Sequence, residues 1–580
     1  MDPYRRRAAE EVSATARLAK NPFLPLALGL ILVLAALVLP PVWMLIRGSL
    51  TLANPDGSSG AWTLEHFTRL FADQTLLTST ANSVLFAVSA TLVSLLFGGI
   101  LAWVVERTNA PLKPLAYLTT IVSLGTPYIL YVSAWLYLFG RNGPFNDAYR
   151  SITGNTDMLF NVFSLWGMVL VEGFLWSPLV FLMLSANFRA ANAEMEEAAR
   201  MSGASVFATI WRISIKLAGP AILAMALFVF IRNLESFDVP VLIGMPGHVR
   251  LLTTDIYTSV TQTPPQMGHA SAFAVLMLAM VAVLLYFYGR ITRHAERYAS
   301  VTGKGYRPRP FNLGRWRWAA GGLIGFNFVI ILLLPLLALV WTSLLPFVRP
   351  MRLKFLPLLT TKHFAVVLGS PPFLQLGINT LIVAAGAATI AVLLTLLAGW
   401  LAARRRPGGG VLDQLATMPL VFPGIVLGLA MMELALALPV PIYGTLWLIC
   451  IAYVVRYMPY GLRYSYAGVL QIHRELEEAA GVAGATVAQR LRFVVAPLLS
   501  PAIVSAWLFI FLIASKELSM AILLAGPTSQ VMSVAMFEMW TNGQGGELSA
   551  LGLIWTLLMT VGASLFYLTL RRQGGGAFGH

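Results

Sequence analysis

Residues 24–46 form an unbroken run of 23 residues without one ionisable side chain. Roughly 20 predominantly apolar residues carry a helix across the hydrocarbon of a bilayer. Inside it only helices and closed barrels satisfy their own backbone. Eleven more apolar runs follow, near 79–103, 115–139, 161–186, 218–243, 270–289, 319–345, 376–402, 412–435, 442–462, 498–525 and 548–570. The composition agrees: of 580 residues 58% are hydrophobic and 11% charged, whereas soluble domains carry about 25% charged residues. The expected fold class is an all-α membrane protein with about twelve transmembrane helices. Disorder, collagen and a disulfide-bonded scaffold are excluded by the same numbers.

A net charge of +15 raises the question of nucleic acid, and the distribution of charge answers it. Alternate connections carry 28 and 9 Lys and Arg, with three more inside spans. By the positive-inside rule the basic set, which includes both termini, faces the cytoplasm. One outer loop, with Arg349, Arg352, Lys354 and Lys362, runs against the count. The basic excess therefore reads as cytoplasmic loops beside anionic lipid, with no nucleic-acid partner. Arg5, Arg6 and Arg7 precede an apolar run longer than the 7–15 residues of a signal peptide core, so the first span is expected to stay uncleaved. Cys450 is the sole cysteine, and the seven histidines form no ligand pair, so no metal site is expected. A reporter active only in the periplasm, fused after Arg572, is expected to remain silent. Activity there would overturn the topology.

The chain repeats itself. EEAARMSGASVFATIWRISIKLAGPAI from Glu196 matches EEAAGVAGATVAQRLRFVVAPLLSPAI from Glu477, an offset of 281 residues. The same offset matches Pro178 to Pro459 and Pro246 to Pro527. Upstream, Asn82 matches Asn379 and Trp103 matches Trp400 at an offset of 297, so the first half carries 16 extra residues, placed near 140–160. Two homologous six-span halves are expected, 1–300 and 301–580, joined by the basic segment 290–318. With both termini and the joint on one side, the halves share one orientation and a pseudo-two-fold axis along the membrane normal.

Each repeated segment, near 194–216 and near 475–497, lies between the fourth and fifth spans of its half. Met195, Ala198, Ala199 and Ser202 share one side of a short helix, with Glu194, Glu197 and Arg200 elsewhere. Gly203 then permits a turn that a residue with a Cβ resists, and a second helical run follows. Such a helix-turn-helix suits a groove on a partner. Glu-Glu-Ala-Ala alone is ordinary helix-forming sequence, but two copies in register at the same place in a repeat are not chance.

These residues carry a specific resemblance. Glu197, Ala198, Ala199 and Gly203, with Ile213 after them, are similar to the EAA loop of bacterial type I ATP-binding-cassette importer permeases. So are Glu478, Ala479, Ala480 and Gly484, with Val494, Pro497 and Pro501. The first copy has Lys216 where the second has Pro497. The fused plan, with KELSMAILLAGPTSQVMSVAMFEMW late in the second half, most resembles ferric-iron importer permeases, and thiamine and phosphonate permeases share it. The resemblance implies coupling helices that dock into two cytoplasmic ATPase subunits, a periplasmic binding protein that delivers the solute, and a place in the bacterial inner membrane. The sequence contains no G-x-x-x-x-G-K-S/T phosphate loop. ATP and Mg would therefore bind the partner ATPase, and this chain would be a transport permease with no cofactor or catalytic residue of its own.

Ionisable residues inside spans are costly and mark functional paths. Glu172, Arg232, Glu235, Asp238, Glu433, Arg456, Lys516 and Glu517 fall within the apolar runs. At the 281 offset Glu235 corresponds to Lys516 and Ser236 to Glu517. Glu235, Lys516, Glu517, Glu172, Glu433 and Arg456 are the candidate translocation-path residues. The competing reading is structural pairing, as between Arg232 and Glu235 three residues apart. A helix break is expected near Pro240. Trp135, Tyr137, Trp341 and Tyr443 read as interfacial anchors. Two rival functions stay open: an ion-gradient-driven secondary transporter, which twelve spans in parallel halves also suit, and a membrane enzyme, which would need a polar cluster that the sequence does not display.

Overall fold

Prolines decide where several helices stop. The computed structural model describes residues 23–53, 59–190, 194–203, 205–295 and 310–573. Arg5 to Arg7, Ala204 and residues 296–309 of the joint 290–318 lie outside the described residues. Among them, nine helices are long and apolar enough to cross a membrane, or eleven if each of two bent pairs counts as one span. The tenth expected span is the helix Leu446–Gln471, long enough at 26 residues but below that apolar standard because it carries Arg456, Arg463 and several tyrosines. Among the described residues the structure is all-α apart from one antiparallel pair of short strands, Thr51–Ala53 with Ser59–Trp62.

Two expected spans are not straight. The run 115–139 breaks into Lys113–Gly125 and a following helix from Tyr128, at 111°. The run 412–435 breaks into Gly409–Val421 and Gly424–Ala437, at 106°. Pro127 and Pro423 follow Thr126 and Phe422, which are extended, with ψ of 129° and 116°. A proline ring disfavours the α region in the residue before it, so each helix ends there.

The fifth and eleventh expected spans also differ from the sequence reading. Each begins with a π-helical turn, Ile210–Ser214 and Leu491–Val495, at matched positions. Their helices end at Leu234 and Ala514, ahead of Glu235, Lys516 and Glu517. These three residues therefore lie at chain breaks, not within helices. The break precedes Pro240, which instead opens another π-helical turn, Pro240–Gly244.

Close packing between the second and fourth spans is built on glycine. A Cβ on Gly98, in the helix Gln74–Arg107, would lie 2.5 Å from the Ser177 carbonyl and 2.7 Å from Val180 Cβ, in Leu165–Ala190. In the second half the small residue has changed sides: a Cβ on Gly461, matched to Val180, would lie 2.4 Å from the hydroxyl of Thr395, matched to Gly98. Small residues are what allow helices to approach closely where lipid supplies no hydrophobic driving force. Gly98→Ala is expected to cost about 1–3 kcal/mol through overpacking. Gly99→Ala, whose Cβ would stand 3.5 Å from Leu184, should be neutral or stabilising. Thermal unfolding in detergent separates the two; equal midpoints would refute the close-packing account.

The chain falls into two packing units that cut across the sequence halves. One comprises residues 49–375 and 533–564; the other contains residues 376–532 together with the first span. In the latter, Phe23 meets Trp400 at 5.6 Å between centroids, and the Arg406 guanidinium lies over the Phe23 ring. In the former, the seventh span packs against the first half, with Gly321 against Pro111, and Gly552 of the last helix meets Leu130. Trp135 belongs to this unit's core. It is 1% exposed and packs on Phe139 and Phe174, so it is not an interfacial anchor.

The helix Pro144–Thr153 occupies the place of the extra residues. Its Asp147 binds Arg150 at 2.6 Å and Arg352 at 2.7 Å. Burial would raise this carboxyl, but the two arginines outweigh it and hold it below the ordinary range. One cation of the exceptional outer loop is thus paired.

Candidate functional site

The repeated segments fold as short helices closed by a left-handed glycine. Glu194–Met201 leads to Gly203 at φ +83°, and Arg474–Val482 leads to Gly484 at φ +85°. In the second segment the amide of Gly484 donates to the Gly481 carbonyl and that of Ala485 to the Ala480 carbonyl, at 3.0 and 2.9 Å. This is the Schellman closure, which places a positive φ on the residue after the cap and favours glycine there. Thr486 and Gln489 then form a reciprocal capping box that starts the next helical turn. Ala198 and Ala199, like Ala479 and Ala480, lie in the first helix of each segment with Glu197 and Glu478.

Sequence reasoning passed over the glutamate before each of these. Glu196 and Glu477 are 3% and 5% exposed. Glu477 accepts from Arg404 Nε at 2.7 Å and from Trp400 Nε1 at 3.1 Å. Glu196 accepts from Ser214 Oγ at 2.7 Å, with Arg107 Nε 3.7 Å away. The signal was available: Arg107 and Arg404 are matched by the 297 offset, as Glu196 and Glu477 are by 281.

A second polar cluster forms where the bent third span, the fourth span and the break after the fifth meet. In the unit of residues 49–375, Glu172 accepts from Trp176 Nε1 at 3.0 Å, with the Ser236 side chain as a further partner. Arg232 lies 5.6 Å from the Trp176 ring centroid and pairs with Glu235 at 2.9 Å. The structure therefore brings Glu172 and Glu235 together through Trp176 and Arg232, and the Arg232–Glu235 pairing weighed from the sequence is present.

The other unit repeats the node with its charges exchanged. Glu517 accepts from Tyr457 Oη at 2.7 Å and from Ser519 Oγ, while Tyr453 Oη donates to the Glu517 carbonyl at 3.1 Å. Arg456, 6% exposed, donates to the Phe422 carbonyl at the proline break. Lys516 is buried beside Glu517. A Cβ on Gly424 would stand 3.3 Å from Glu517 Oε1 and 2.0 Å from Ser519 Oγ, so this node needs a glycine at the start of its helix. At the 281 offset Glu172 corresponds to Tyr453, Trp176 to Tyr457 and Ser236 to Glu517. Each half thus carries one carboxyl that accepts from this aromatic donor, on opposite elements; the first half adds Glu235, paired with Arg232. Glu433 is half-buried further along Gly424–Ala437. No group of three or more His, Cys, Asp or Glu arranged for a metal occurs among the described residues.

A family model described as "Binding-protein-dependent transport system inner membrane component" matches residues 94–297 and again 391–573. The two matches begin 297 residues apart, the offset of the upstream repeat. The ferric transport system permease protein FbpB of Actinobacillus pleuropneumoniae is 24% identical over 507 residues, 85% of this chain and 71% of that one. The Fe(3+)-transport system permease protein FbpB 2 of Haemophilus influenzae is 22% identical over 394 residues, 67% of this chain and 73% of that one. The putrescine transport system permease protein PotI of Escherichia coli is 31% identical over 208 residues, 33% of this chain and 72% of that one.

Proposed function

The chain belongs to the family of binding-protein-dependent transport system inner membrane components, present in two fused copies, and from that membership we propose that it carries ferric iron inward, powered by separate ATPase subunits. It is a multi-pass inner membrane protein and the permease of an ATP-binding-cassette importer. Ferric iron is the solute named for relatives that cover most of the chain.

The observation that supports coupling is the duplicated segment: a short helix, a glycine at positive φ, and a second helical turn, at the same place in each copy. In this reading Glu197, Ala198, Ala199 and Gly203 engage one ATPase, and Glu478, Ala479, Ala480 and Gly484 a second. ATP with Mg is bound and split there. Closure of the ATPases draws the segments together, and the halves rock so that the path opens first to one side and then to the other. The buried nodes around Glu172, Glu235 and Arg232, and around Lys516, Glu517 and Arg456, lie along the moving elements and line the path, with Glu433 beside them. A periplasmic binding protein supplies the iron.

The test is reconstitution. Vesicles holding this chain with its ATPase and binding protein should take up radiolabelled ferric iron only with internal ATP, and should not take up putrescine or thiamine. Uptake by the chain alone under an ion gradient would overturn the reading in favour of a secondary transporter. ATP-driven uptake of another solute would overturn ferric iron alone.

A further inference from the structure

The first glutamate of each Glu-Glu pair does not face outward. Glu477 and Arg404 are both under 10% exposed. Arg404 donates to Glu477 Oε1 through Nε at 2.7 Å, with Nη2 2.6 Å from the same oxygen, and Nη2 donates to the Ile472 carbonyl at 2.9 Å. Arg404 immediately follows the long helix Pro371–Ala403. In the other unit Arg107 is the last residue of Gln74–Arg107 and is 3% exposed. It stands 3.7 Å from Glu196, which Ser214 holds from the start of the fifth span.

From this we propose that the Arg107–Glu196 and Arg404–Glu477 pairs are positioning residues: joints through which a docked coupling segment pulls on the second span of its half. The inference rests on the coupling reading given above. A planar guanidinium held at once by a carboxylate and a backbone carbonyl, as Arg404 is by Glu477 and Ile472, is fixed in distance and angle together, which an apolar contact is not. Buried pairs are seldom retained for stability, since apolar residues of like volume often serve as well or better. Here the same pair occurs twice, each time between the end of a long span and the helix proposed to meet an ATPase.

The two joints differ in construction. The second is a close hydrogen-bonded pair whose carboxylate also accepts from Trp400 and whose guanidinium also holds the Ile472 carbonyl. The first is longer, but its arginine is braced from behind: the Phe311 amide donates to the Arg107 carbonyl at 2.7 Å, and the Asn109 amide to the Phe311 carbonyl at 3.1 Å. Asn109 also bonds Asn312 and the Leu313 amide, both at 3.0 Å. The end of the joint between the halves is thereby laced to the first joint. The second pair is expected to transmit more of the motion.

The experiment uses the assembled complex with Arg404→Lys, which keeps charge and loses the fork, and with the double variant Arg404→Leu/Glu477→Leu, which removes both charges and avoids leaving one unpaired. Two quantities are read: ATPase co-purified per permease, and the change in amide exchange of Pro371–Ala403 when ATP and vanadate trap the ATPase closed. Both variants should retain the ATPase within about twofold while the nucleotide-driven change falls about tenfold, inside the range of couplings between sites. A double variant that responds like the parent would overturn the proposal, and so would one that folds but releases the ATPase, because the pair would then belong to docking. Glu478→Arg tests the parent reading separately. If that variant holds its ATPase normally, the docking assignment fails whatever the joints do.

Discussion

A Gly484→Val permease is expected to retain its spans and to lose most of its ATPase coupling. Gly484 sits at φ +85°, and a Cβ there would meet nothing within 4 Å. The cost is therefore carried by the backbone alone. A left-handed residue with a Cβ costs about 1–2 kcal/mol, and β-branching makes positive φ worse. That is roughly a five- to thirtyfold change in a local equilibrium. The alternative for the chain is to abandon the Schellman closure made by Gly484 and Ala485, which would swing the following turn away from the first helix. Gly203→Val faces the same geometry at φ +83° and should act in the same direction. The second segment is expected to tolerate less, because its capping box and Pro497 leave fewer ways to relax, whereas the first has Lys216 at that place. Gly484→Asn should fall between parent and Val, since asparagine enters the left-handed region more readily. Co-purification of the ATPase and stimulated ATP hydrolysis are the measurements. Two valine variants that bind and couple like the parent would remove the glycine corners from the mechanism.

The repeat was the most legible feature because it compares the chain with itself. Offsets of 281 and 297 place the coupling segments, the glycine corners and the π-helical turns of both halves in register. What stayed hidden was hidden by apolar continuity. Residues 115–139 read as one run because a bend adds no charge to the sequence, although Pro127 and Pro423 carry the local rule that ends each helix. Glu235, Lys516 and Glu517 read as intramembrane helix because apolar residues flank them on both sides, yet the helices stop at Leu234 and Ala514. Attention to the exposed-looking Glu197 and Glu478 passed over the buried Glu196 and Glu477. Applying the two offsets to charged residues alone would have singled out Glu196 with Glu477, and Arg107 with Arg404, as charges that recur in both halves. Which span packs in which unit was not legible, since an apolar stripe does not name the stripe that covers it.

The exchanged carboxyls give the sharpest expectation for the path. In one half the carboxyl that meets the aromatic donor is on the fourth span, as Glu172, and a hydroxyl is on the break, as Ser236, beside the Arg232–Glu235 pair. In the other the hydroxyl is on the fourth span, as Tyr453, and the carboxyl on the break, as Glu517. If the node needs a carboxyl that accepts from Trp176 or Tyr457 and not a particular donor helix, its position is transferable. Glu517→Ser should then be severe. It removes the acceptor of Tyr457 and of Ser519, and burying those groups without partners costs about 1–3 kcal/mol apiece. The sum corresponds to roughly a hundredfold or more in the affected step. Tyr453→Glu in the same chain rebuilds the arrangement of the first half within the second, with Tyr457 standing where Trp176 binds Glu172. The double variant should therefore recover a substantial part of ATP-driven uptake lost by Glu517→Ser, while Tyr453→Glu alone, which sets a second carboxyl beside Glu517 with Ile513 where the first half has Arg232, should also be impaired. That sign pattern is a favourable coupling in a double-mutant cycle, which contacting residues show and distant ones do not. ATPase co-purification must be unchanged across the cycle for the comparison to bear on the path. If the double variant transports no better than Glu517→Ser, the two nodes are separate structural pairings, and the exchange of their charges carries no function.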